Sequence, residues 1–91
     1  MENLTVQNLA EILKNIISNR HVFCASVGCY NKKQSNDAFI EVTLFSDVLY
    51  KYTYDYIMSC IPEKNVTDCV MQLVENRMRI CINLKSTDFS K

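Results

Sequence analysis

The hydrophobic residues of this chain change their period near His21, and that change decides the class of fold open to it. Before it, Val6, Leu9, Ile12, Leu13, Ile16 and Ile17 recur at three- and four-residue steps, with Gln7, Asn8, Glu11, Lys14 and Asn15 on the other side. That is the pattern of an amphipathic helix resting on a core. Thr5 fits its N-cap, Leu4 can staple onto Leu9, and Asn19 fits a left-handed terminator. After it, Phe23, Ala25, Val27 and Cys29 alternate with Val22, Cys24, Ser26 and Gly28. Beyond the polar stretch 31–37, Ala38, Ile40, Val42 and Leu44 alternate in turn with Phe39, Glu41, Thr43 and Phe45. Two period-two runs in succession predict a β-hairpin, with Glu41 on its outer face.

Residues 47–61 fit two periods. As a strand, Tyr50, Tyr52, Tyr54 and Tyr56 fall on one face. As a helix, Asp47, Lys51 and Asp55 line one side while Val48, Leu49, Tyr52, Tyr56, Ile57, Cys60 and Ile61 cover the other. The helix accounts for more residues, with Ser46 as its N-cap and Pro62 as its end. Asn65 then fits the cap of a third helix over 66–76, with Val66, Cys69, Val70, Leu73 and Val74 as its apolar stripe. Ile80, Ile82 and Leu84 predict a last strand, and the polar residues 86–91 a fraying tail.

The expected fold is therefore α+β. A three-stranded antiparallel sheet (21–30, 38–45 and 79–84) carries helices over 6–18, 47–60 and 66–76 on one face, in the order α-β-β-α-α-β. The order becomes α-β-β-β-α-β if the tyrosine segment is a strand. With 91 residues, the chain reads as a single domain over 1–91, with room for one modest core.

Composition narrows the function by exclusion. Gly28 is the sole glycine, so glycine-rich phosphate loops are ruled out. Ten basic residues balance ten acidic ones, and both halves of the chain are neutral, which argues against nucleic acid as the partner. The longest apolar run, Val22 to Ala25, is far short of a membrane span, and the first residues lack the order of a signal peptide. An intracellular, cytoplasmic protein is expected. Five cysteines (Cys24, Cys29, Cys60, Cys69 and Cys81) in that compartment read as reduced, mostly buried thiols.

No catalytic constellation emerges. His21 is the single histidine. On an extended strand it lies roughly 26 Å from Cys29 and faces away from Cys24, so a cysteine-dependent small enzyme or redox protein using one of the five cysteines is the weaker alternative. Cysteine spacings of four, thirty, eight and eleven intervening residues lack the close pairs of a zinc site, so no metal or cofactor is expected. Asp47 and Asp55 read as a solvated helix side around Lys51, not as paired acid and base.

The tyrosine row is the unusual cluster. On the expected helix, Tyr52 and Tyr56 face the core, leaving Tyr50 and Tyr54 exposed beside Lys51 as a candidate protein-binding surface. Tyr30, Lys32 and Lys33 in the hairpin loop form a second candidate. The strand face bearing Phe39, Glu41 and Thr43 is the reserve. Phe, Tyr, Met, Ile, Asn and Lys supply 37 residues against eight for Gly, Ala, Arg and Pro, the bias of an AT-rich genome. Small size, this bias, an α+β pattern and no catalytic motif together resemble the broad class of virus- or phage-encoded inhibitors, anti-CRISPR proteins among them. That resemblance implies a non-enzymatic domain acting by stoichiometric binding to a host or cellular protein. A structural homodimerisation module is the other alternative.

Overall fold

A computed structural model describes residues 3–29 and 38–88. The chain runs β1 (Leu4–Thr5), α1 (Val6–Ile17), β2 (Val22–Cys29), β3 (Ala38–Leu44), α2 (Lys51–Ser59), a 3-10 turn (Glu63–Asn65), β4 (Val66–Val74), β5 (Arg77–Leu84) and β6 (Thr87–Asp88). Four strands form an antiparallel sheet in the order β2-β3-β5-β4, and β1 pairs with β6 in a separate short parallel ladder. The fold is α+β, but the sheet has four strands, and neither expected order survives: residues 66–76 are a strand and a turn, not a helix.

The reason lies in the partner of that segment. Val66, Cys69, Val70, Leu73 and Val74 satisfy a helical stripe, yet the segment is rich in β-branched residues and pairs in register with β5, Val74 opposite Arg77 and Met71 opposite Ile80. Glu75 and Asn76 form the two-residue turn, both with positive φ (52° and 66°), which matches the right-handed twist of the strands they join. No glycine announces this hairpin.

α1 begins as its residues predict. The Thr5 hydroxyl accepts a hydrogen bond from the Asn8 N–H (3.1 Å), and the Asn8 carboxamide oxygen accepts one from the Thr5 N–H (3.0 Å), a reciprocal cap. Its end differs from expectation. Ser18 caps it in right-handed conformation, and Asn19 instead uses its side-chain oxygen to accept the His21 N–H. The polar tail is likewise tied down as far as Asp88: the Leu4 N–H donates to the Ser86 carbonyl (2.7 Å), and Thr87 is buried.

One face of the sheet makes the core. Ala38, Ile40, Val42 and Leu44 of β3 and Ile80, Ile82 and Leu84 of β5 are buried, and against them pack Leu9, Ile12 and Ile16 of α1 with Ile57 and Ile61 of the α2 segment. Each buried Val, Leu or Ile side chain stabilises the fold by about 1.5–3 kcal/mol relative to exposure. α2 is a helix, as the favoured reading had it, but it starts at Lys51 with Tyr50 as its cap. Ser46 instead accepts the Val48 N–H in the preceding turn. Asn65, buried, pins the following turn by donating to the Lys85 carbonyl (3.1 Å), while its own carbonyl accepts the Lys85 N–H (2.8 Å).

Candidate interaction surface

With helices on one face, the opposite sheet face carries no helix among the described residues. The register places Cys24, Ser26 and Gly28 of β2, Phe39, Glu41 and Thr43 of β3, Arg79, Cys81 and Asn83 of β5, and Asp68, Val70 and Gln72 of β4 on it. The reserve surface foreseen on β3 is thus a real sheet face. Gly28 has a local reason: the Phe39 ring lies over it, occupying the space of a Cβ.

Aromatic side chains gather where β2 begins and β3 ends. Phe23 sits at a register shift in β2 and meets Phe45 edge-on, ring centroids 5.2 Å apart, while the Arg77 guanidinium lies 4.1 Å from the Phe23 centroid. Beside them Tyr50 and Tyr52 stack nearly parallel at 5.3 Å, and the His21 ring tilts against both, at 6.1 and 5.8 Å. The Phe45 N–H donates to the His21 carbonyl (3.1 Å), joining the two clusters. Phe23, Phe45, Tyr50 and Tyr52 are all exposed, Tyr52 at 60%. A depression of about 430 Å³ borders Phe23, lined also by Thr43, Val74, Arg77 and Arg79. Arg79 is paired with Glu41 (3.8 Å), so the charge of this face is largely balanced.

The tyrosine row is arranged differently from expectation. Thr53 and Ile57 take the core-facing stripe of α2, which turns Tyr52 and Tyr56 away from it. Tyr56 donates its hydroxyl to the Asn15 carbonyl (2.9 Å), satisfying an end carbonyl of α1. Tyr54 is half-buried, and its hydroxyl weakly opposes the rise of the Cys69 thiol. Lys51 is exposed and bonded to Asp55 (2.8 Å), which raises its pKa. Tyr50 therefore joins Tyr52 rather than Tyr54. Tyr30, Lys32 and Lys33 lie outside the described residues. His21, Phe23, Phe45 and Arg77 were missed as surface residues. Phe45 continues the outward row of β3, but alternation groups Phe23 with Ala25 and Val27 on the helix side, and the register shift between Val22 and Cys24 turns it outward.

All five cysteines are free thiols, but none is fully buried, and Cys24 and Cys29 are exposed. The core was filled by Ile, Leu and Val instead. Burial pushes the Cys69 thiol up, helped by the Cys81 thiol and the Asp68 carboxylate. Burial likewise raises Cys60, and burial with the Glu41 and Asp68 carboxylates raises Cys81. A raised thiol is a poor nucleophile at neutral pH. Among the described residues no group of His, Cys, Asp and Glu is arranged to hold a metal ion, and no helix is long and apolar enough to cross a membrane. Comparison with protein-family models, curated proteins and solved structures finds no match.

Proposed function

We propose that the chain is a non-enzymatic protein-binding domain that acts by stoichiometric association with a host or cellular protein. Its binding surface is the aromatic end of the sheet, centred on Tyr50, Tyr52, His21, Phe23 and Phe45. The observation that carries this reading is the mutual ordering of exposed rings. Each is held by a neighbour's ring, so little side-chain entropy remains to be lost on docking, and each offers apolar area with Arg77 at the rim. The resemblance to small virus- or phage-encoded inhibitors points the same way. The raised Cys60, Cys69 and Cys81 thiols speak against a thiol mechanism at those positions.

Affinity capture from host lysate, followed by titration of the captured partner, tests the reading. Tyr50→Ala/Tyr52→Ala should weaken binding by about 2 kcal/mol or more if the stacked pair anchors the interface, with an unchanged melting curve. Full affinity in the folded double variant would remove this surface from consideration.

A further inference from the structure

Among the described residues no strand pairs with the outer side of β2 or of β4, and the two edges differ. α1 packs on β2, a device that blunts an edge, and each edge strand carries one register shift, β2 between Val22 and Cys24 and β4 between Val66 and Asp68. β4 is regular from Asp68 to Val74, contains no proline, lysine or arginine, and has Asp68 as its one charged side chain. Val70 on the open face is 46% exposed, and Met71 and Leu73 on the helix side are 48% and 60% exposed. A long apolar strand edge of this kind is a template for another strand.

Which backbone groups face outward follows from the hydrogen bonds around β5. The Lys85 N–H donates to Asn65 on the β4 side, and the Met78 N–H donates to Ser46 on the β3 side. Odd-numbered residues of β5 therefore bond to β4, and their partners Asp68, Val70, Gln72 and Val74 point inward. Cys69, Met71 and Leu73 are left with N–H and C=O groups directed away from the sheet.

We propose that β4 is a self-association edge: two copies pair their β4 strands antiparallel about a two-fold axis at Met71, joining their sheets into one of eight strands. Three features favour a second copy as the occupant. The outward-facing residues are symmetric about Met71, so Met71 meets Met71 and Cys69 meets Leu73 in hydrogen-bonded pairs, about six bonds in all. Side chains match on both faces, with apolar residues meeting on the helix side and Val70 opposite Gln72 on the open side. Charge also agrees. The two Asp68 carboxylates lie roughly 20 Å apart, each opposite the other copy's Val74, whose β5 neighbour is Arg77. A single strand pair is a small interface, at the low end of the range near 1,200 Å² in total, so the dimer exchanges with monomer.

Sedimentation velocity of the full chain across a wide concentration range reads this directly, with amide exchange by NMR at both ends of the range. Concentration-dependent dimerisation is expected, with protection gained at high concentration by the Cys69, Met71 and Leu73 amides and not by Val70 and Gln72. Met71→Lys and Leu73→Lys, both at exposed positions, should each abolish the dimer with an unchanged circular dichroism spectrum. Tyr50→Ala/Tyr52→Ala should leave it intact, which separates this edge from the aromatic surface. A wild-type monomer at every concentration, a dimer that survives both lysine variants, or one lost with the tyrosines would overturn the proposal.

Discussion

β3 and β4 are both apolar strands with period-two side chains, and they end in opposite environments. β3 lies between β2 and β5, and its Ala38, Ile40, Val42 and Leu44 are buried without exception. Among the described residues β4 has a sheet neighbour on one side alone, and Met71 and Leu73, on the same face as the core, are exposed. Composition is therefore a poor guide to burial in a small sheet. Position in the strand order decides which apolar rows the two helices can cover, and α1 and α2 between them leave the far end of β4 bare.

The largest effect should come from breaking the buried side of this contrast. Ile82→Ala, between β3 and β4 at the centre of the core, should cost about 2–5 kcal/mol in a denaturant titration. Leu73→Ala at low protein concentration should stay within about 0.5 kcal/mol. A large Leu73 effect would mean that β4 is covered in the monomer. On the open face, Gly28→Ala forces the Phe39 ring off its seat and should cost about 1–3 kcal/mol, read as a lower melting temperature together with shifted Phe39 ring resonances. Thr53 supplies the reverse case. Its hydroxyl is buried without a hydrogen-bond partner among the described residues, so Thr53→Val should raise stability by about 1 kcal/mol, and a loss instead would reveal a partner for that oxygen.

The smallest effect concerns pH. The Cys60, Cys69 and Cys81 thiols are raised chiefly by burial, so the folded state holds these protons more tightly than the unfolded chain does. Their contribution is fully present below the unfolded thiol pKa of about 8.5 and is lost as pH rises toward the folded values. Melting temperature should be flat through neutral pH and fall above that point. Native alkylation followed by mass spectrometry should modify the exposed Cys24 and Cys29 before the other three.

What the residues made legible follows the same contrast. α1 with its Thr5 cap, the alternation of β3, and the Ile80, Ile82 and Leu84 row of β5 were readable because each element's buried face is complete in its own sequence. β2 was readable as a strand but not in its facing, since the register shift buries Val22 and exposes Phe23. Val66 to Val74 was not, because Val66, Cys69, Val70, Leu73 and Val74 fit a helix as well as a strand. The decision lay in pairing across Glu75 and Asn76, a turn that uses left-handed non-glycine residues. The tyrosines failed for a related reason. A helix over 51–59 can bury several stripes, and the core chose Thr53 and Ile57, roughly 100 to 140 degrees around the axis from Tyr52. The aromatic end combines residues from β2, β3, α2 and β5, so no local window could display it.

The strand order also bears on how fast the molecule assembles. β2 with β3, and β4 with β5, are each pairings of consecutive strands, and the second closes through a two-residue turn. The seam that unites them, β3 with β5, joins Ala38 to Leu84 and Thr43 to Arg79, with all of α2 and β4 threaded between. Closing that span pays its loop entropy before the buried Ile40–Ile82 and Val42–Ile80 pairs repay it. Topology therefore predicts that closing this seam limits the rate of folding. Truncating Ile40 or Ile80 should slow folding as well as hasten unfolding, whereas truncations in the β4–β5 hairpin near its turn should act chiefly on one limb of the chevron.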